Sequence, residues 1–202
     1  LPGTLSGYDN QSLHWSLQYC GLQRKVIQDY GFERGMMQPE DFGTMTHWYT
    51  RTPKSFLDAM KPDFLPNAVK WYDDASALVW DIRDPKWMDM YWKLTDAAIE
   101  HYGRPDMLHT MGLSERRCSE DPAENLRIKI EVMKRLIDDA QRRYPESTII
   151  LGGWDFHFTW EPEECRQLFD ALKDYKNILL WDYEADELRE GISPKVPMTE
   201  CI

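Results

Sequence analysis

The sequence predicts an α/β chain of the (β/α) TIM-barrel type, an incomplete barrel with about half of the βα units, and three observations predict it. Short apolar runs alternate with helical stripes at intervals of about 30 to 45 residues, the rhythm of parallel strands covered by helices. Two helix starts are written as Asp-Pro pairs, Asp84-Pro85 and Asp121-Pro122, an acid at the N-cap followed by proline at the first helical position. The apolar runs also end near acids: Met107-Leu108-His109 before Glu115, Ile149-Ile150-Leu151 before Asp155, and Ile178-Leu179-Leu180-Trp181 before Asp182 and Glu184. Carboxylates at the ends of successive strands are how a barrel of this type builds an active site. A small doubly wound sheet is the structural alternative, but no Gly-rich phosphate turn follows any of the strands.

The elements follow in order. From Asp9 to Tyr30, the residues Trp15, Tyr19, Leu22, Val26 and Tyr30 recur at spacings of three and four, which predicts one inward face of an amphipathic helix, ended by Gly31. A short strand is expected at Gly35-Met36-Met37-Gln38, before Pro39, and a long aromatic and polar loop from Glu40 to Thr52. Pro53 opens a short helix through Met60, and brief strands are expected around Val69 and Leu78. The Asp84-Pro85 helix carries Trp87, Tyr91, Leu94 and Ala98 as its stripe and stops before Gly103. After the strand at Met107, the Asp121-Pro122 helix places Leu126, Ile130, Met133, Ile137, Ala140 and Tyr144 on one face. Pro145 ends it, Thr148 to Gly152 forms a strand, Pro162 opens a helix with Cys165, Leu168, Phe169 and Leu172 inward, and Asn177 to Trp181 is the next strand.

Composition narrows the function classes. With 202 residues, 42% of them hydrophobic and 13% aromatic, the chain has enough apolar side chain for a sizeable core. A net charge of −11, from 35 acids against 24 bases, argues against nucleic acid and against an anionic membrane as partners, because phosphate binding needs clustered Lys and Arg. No run approaches the roughly 20 apolar residues of a membrane span. Cys20, Cys118, Cys165 and Cys201 are far apart with no C-x-x-C pair, so neither zinc nor a disulfide scaffold is expected, and Cys20 and Cys165 read as buried helix thiols.

Three segments carry candidate chemistry. Glu115 follows a strand end and is flanked by Arg116 and Arg117. As a general acid it needs surroundings that raise its pKa, which the arginines would oppose, so a surface ion pair is its plain alternative. The segment Gly153-Trp154-Asp155-Phe156-His157 interleaves aromatics with hydrogen-bonding groups, a combination that suits a sugar: rings stack on axial C–H groups while Asp and His bind hydroxyls. The alternative there is core phenylalanines with Asp155 capping the following helix. Asp182 and Glu184 end another strand and are either pocket acids or a solvated loop, and Trp48, within His47-Trp48-Tyr49, is a candidate wall of a sugar site. A metal hydrolase recruiting His109, His157, Asp155 and Asp182 lacks any close ligand pair, so no metal and no cofactor are expected.

The stretch from His14 through Tyr30, with Leu17-Gln18 and Gln23-Arg24-Lys25-Val26-Ile27, then Gly31-Phe32-Glu33 and Met37-Gln38-Pro39, resembles the catalytic domain of alpha-N-acetylglucosaminidases, glycoside hydrolase family 89. The likeness continues through Asp84-Pro85, the Glu115 loop, the Gly153-Trp154 strand end and Ile178-Leu179-Leu180-Trp181-Asp182, and so spans most of the chain diffusely. It implies that residues 1–202 are part of a (β/α)8 glycosidase catalytic domain, a retaining exo-enzyme that removes terminal alpha-linked N-acetylglucosamine with two carboxylates about 5 to 5.5 Å apart. Glu115 matches the family's acid/base, although Gly112-Leu113-Ser114-Glu115 stands where the family's better-known loop reads Asp-Thr-Phe-Asn-Glu. The resemblance leaves His109, Trp154, Asp155, His157, Asp182 and Trp48 as substrate-binding residues. The family's nucleophile finds no match before Ile202, so the expected partners are a carbohydrate and the remainder of a longer polypeptide. A non-catalytic carbohydrate-binding domain of the same fold, and a glycosidase of a different linkage, are the competing expectations.

Overall fold

The structure is a computed structural model that describes residues 17–37, 39–41, 54–66, 79–102, 106–110, 113, 117–152 and 160–181. In chain order the elements are α1 (Leu17–Phe32), β1 (Pro39–Asp41), α2 (Lys54–Met60), α3 (Pro85–Tyr102), β2 (Met107–Thr110), α4 (Pro122–Arg143), β3 (Thr148–Gly152), α5 (Pro162–Leu172) and β4 (Ile178–Trp181). The four strands form one parallel sheet in the order β1-β2-β3-β4. Parallel neighbours need a crossover, and helices supply each one.

The helix starts are chemically specific. The Asp84 carboxylate accepts the backbone N–H of Lys86 at 2.8 Å, and the Asp121 carboxylate accepts that of Ala123 at 3.1 Å, each satisfying a donor that the first turn of a helix leaves without a partner. At α5 the N-cap is Glu161, whose backbone N–H donates to Glu164 Oε2 at 2.9 Å. Asp155 is therefore not the cap of α5. Asn177, in the left-handed region at φ 55°, sets up β4, and its carbonyl accepts the Ile149 N–H at 2.8 Å.

Register sorts the strand residues onto two faces. Leu108, Ile149 and Leu151 share one face and belong to the core, with Ile178 and Leu180 packed against it. They meet Val132, Leu136 and Ile137 of α4, Leu168 and Leu172 of α5, and Tyr91 and Trp92 of α3 in one continuous cluster. The opposite face presents Met107, His109, Ile150, Leu179 and Trp181. Leu179 is 52% exposed and Trp181 47%, whereas Ile150 is 7% exposed, so this face is open at β4 and covered at β3.

Around this core, polar ties fix the helices. Trp87 packs edge-on against Trp80 and donates its indole N–H to Asp63 at 3.0 Å, which holds the start of α3 to the preceding segment. Asp96 of α3 accepts from Arg143 at 2.7 Å and from the Tyr144 hydroxyl at 2.8 Å, joining α3 to the end of α4. Burial, reinforced by the hydrogen bond to Asp96, pushes the Tyr144 phenol up to about 12.

Two expectations are corrected. The first strand is Pro39–Asp41 and not the run at Gly35 to Gln38: Met36 and Met37 are exposed, and proline is tolerated at the start of an edge strand. On α1 the stripe Leu22, Val26 and Tyr30 is exposed, while Gly21, Gln28 and Gly31 are buried; the helix touches α3. The side of α1 that packs is thus the one with Gly21, Gln28 and Gly31, and not the one with the apolar stripe. The strands expected around Val69 and Leu78 lie outside the described residues.

Candidate functional site

Because all four strands are parallel, their carboxyl ends lie on one edge of the sheet, at Asp41, Thr110, Gly152 and Trp181. The segments that carry Glu115, Trp154, Asp155, His157 and Asp182 start from this edge, since they follow β2, β3 and β4 in the chain. Those five residues, and Trp48, lie outside the described residues, and His109 is the expected site residue that the structure describes. The carboxyl edge is where ligands sit in parallel α/β architectures.

His109 is the third residue of β2, half-buried on the face that also carries Leu179 and Trp181. Its ring meets the Trp181 ring at 5.6 Å between centroids with the planes at 66°, an edge-on arrangement that suits the opposite signs of an aromatic ring's edge and face. These rings belong to strands separated by β3. The register partner of His109 is Ile150, and that of Trp181 is Gly152, on the same face. Gly152 puts no side chain level with Trp181 and Ile150 stands level with His109, so the two rings meet diagonally across β3.

Asp41 also ends a strand on this edge and is the register partner of His109. It is not among the expected site residues, because the apolar run that suggests a first strand lies earlier in the chain. Trp181 and Gly152 are not among them either; the alternation along β4 is the available signal, since Leu179 and Trp181 share a parity opposite to Ile178 and Leu180.

The ion-pair alternative for Glu115 also meets an observation. Arg117 donates to the carbonyls of Ser119 at 3.3 Å and Glu120 at 3.2 Å, and lies 3.6 Å from the Glu120 carboxylate. Its guanidinium is thus engaged on the side toward α4. Near the same edge, Lys129 of α4 is 7% exposed and its ammonium sits 4.6 Å from the centre of the Trp160 ring, a cation held on an aromatic face at the entry to α5.

Two cavities lie elsewhere. A groove of about 660 Å³ runs between α4 and α5 over Leu126 and Ile130, rimmed by Arg127, Glu131 and Lys134. Of these rim charges, Arg127 is paired with Glu124 at 2.7 Å and with Glu131 at 3.1 Å. A second cavity, about 380 Å³, is lined by Phe32, Met36, Met37, Asp106 and Glu146, at the amino edge of the sheet. Neither is lined by the residues that end the strands, Asp41, Thr110, Gly152 and Trp181. Among the described residues no group of three His, Cys, Asp or Glu side chains is placed to hold a metal, and no helix is long and apolar enough to cross a membrane.

Compared with family models, with curated proteins and with solved structures, the chain finds no match.

Proposed function

We propose that this chain is part of a (β/α)-barrel glycoside hydrolase that removes terminal alpha-linked N-acetylglucosamine by a retaining mechanism, with Glu115 as its acid/base. One observation carries the reading: four parallel strands in sequential order send the segments bearing Glu115, Asp155 and Asp182 from one edge, next to an imidazole and an indole on a face that is exposed at β4. Aromatic surface for the sugar ring and carboxylates for its hydroxyls and its leaving oxygen are what glycoside hydrolysis requires. On this reading Glu115 donates a proton to the glycosidic oxygen and then takes one from the water that releases the sugar. The attacking carboxylate, and the strands that cover the open face, come from the remainder of a longer polypeptide.

Replacing Glu115 by Gln in that full polypeptide tests the role. Hydrolysis of a natural alpha-linked N-acetylglucosaminide is expected to be lost, while an activated aryl glycoside, whose leaving group needs no proton, keeps part of its rate. Unchanged hydrolysis of the natural substrate removes Glu115 from the mechanism. Sugar binding without hydrolysis by the unaltered protein favours the non-catalytic carbohydrate-binding domain.

A further inference from the structure

Trp181 stands apart from the other described tryptophans of the fold. Trp80, Trp87, Trp92 and Trp160 are each no more than 2% exposed, as expected for side chains that anchor a core, whereas Trp181 is 47% exposed at the end of a strand. It is nevertheless held in place, because the edge contact with His109 at 5.6 Å fixes the plane of the indole. A ring that is both exposed and oriented loses little side-chain freedom when a ligand stacks on it. Beside it on β3, Gly152 adds no side chain, and the next residue along the chain from Trp181 is Asp182.

We infer that Trp181 is a sugar-stacking residue, positioned by the ring of His109 and with no side chain beside it at Gly152, and that it binds the face of a pyranose ring that presents axial C–H groups. This rests on the carbohydrate reading above. N-acetylglucosamine fits the requirement: its ring substituents at C2, C3 and C4 are equatorial, so the axial C–H groups form flat apolar faces for an indole, while the hydroxyls point sideways toward hydrogen-bonding groups. Leu179, on the same face but nearer the middle of the strand, has no such partner chemistry and serves to cover the sheet. His109 acts here as a positioning residue through the indole.

The test is binding of N-acetylglucosamine, and of a methyl alpha-glycoside of it, to the full polypeptide in the Glu115→Gln background, which prevents turnover. Trp181→Leu keeps apolar cover and removes the stacking surface; it is expected to weaken binding about 3- to 10-fold, and Trp181→Phe to recover part of the loss. In protein labelled with 5-fluorotryptophan, the fluorine signal that Trp181→Phe eliminates is expected to shift on sugar addition, a readout that a purely structural tryptophan would not give and that does not depend on how the Leu variant folds. Binding unchanged in Trp181→Leu, or a fluorine signal that sugar leaves in place, overturns the stacking role while the glycosidase reading stands. If the unaltered polypeptide binds neither sugar, both fall.

Discussion

The imidazole of His109 and the indole of Trp181 meet edge to face at 5.6 Å across a strand to which neither belongs. A direct neighbour in a parallel sheet stands about 4.8 Å away, so residues two strands apart are beyond ordinary side-chain pairing unless the middle strand is bare at that level. That strand carries Ile150 level with His109 and Gly152, which has no side chain, level with Trp181. The contact therefore runs diagonally across β3, and it defines one wall of the carboxyl edge on the face that is exposed at β4.

Placing a branched side chain at that position should break the relationship. In Gly152→Val the new methyl groups stand between the rings, and the loss of the aromatic contact costs about 0.5 to 1.5 kcal/mol. Proton NMR of the imidazole reads it directly, because the His109 ring protons sit in the ring current of the indole. Trp181→Leu and Gly152→Val should move those resonances in the same direction. If Gly152→Val leaves them where they are, the rings do not meet beside Gly152.

The exposed face at β4 gives a second expectation. Leu151 is 1% exposed against α4 and α5, and Leu179, on the other face of the neighbouring strand, is 52% exposed. Leu151→Ala leaves a cavity in the core and should cost about 2 to 5 kcal/mol, whereas Leu179→Ala in this chain should cost under about 1 kcal/mol. Urea unfolding midpoints measure both. Equal losses would mean that the second face of the sheet is packed as firmly as the first.

These faces also show what is legible in the sequence. The helices at Pro85, Pro122 and Pro162 and the strands β2 to β4 can be read, because proline starts, acidic caps and the helical period mark them and the apolar runs between are short. The first strand cannot, since Pro39-Glu40-Asp41 has no aliphatic or aromatic side chain to mark a buried face and is defined only by pairing with β2. The orientation of α1 escapes for a different reason. An apolar stripe at helical spacing is normally the buried one, but here the buried side carries Gly21, Gly31 and Gln28, which is 6% exposed with its side-chain oxygen without a hydrogen-bond partner among the described residues. Hydrophobic periodicity does not show which side of a helix its neighbours take. At the site, His109 is legible as a strand-end residue. Its partner is not, because the meeting of β2 and β4 side chains across β3 is a property of register.

A last relationship links the entry of α3 to α4 and is sensitive to pH. Asp81 accepts two hydrogen bonds from the Arg83 guanidinium, at 2.8 and 2.7 Å, and Arg83 also lies 3.6 Å from Glu131 of α4. The hydrogen bonds from Arg83 hold the Asp81 carboxyl below its ordinary value of 3.8. A carboxyl whose pKa is lower in the folded than in the unfolded protein stabilises the fold above the unfolded value, and that contribution is lost as the pH falls through the folded one. Asp81→Asn should therefore be less stable than the unaltered chain by about 1 to 2 kcal/mol at neutral pH. The difference should stay constant down to about pH 5 and close progressively below about pH 4, because at that point the unaltered chain loses its ion pair as well. Urea unfolding of both chains between about pH 2.5 and 7, the range that spans the carboxylate titration, checks it. A gap that persists at the acid end would show that the Asp81→Asn substitution destabilises the fold for a reason other than the missing charge.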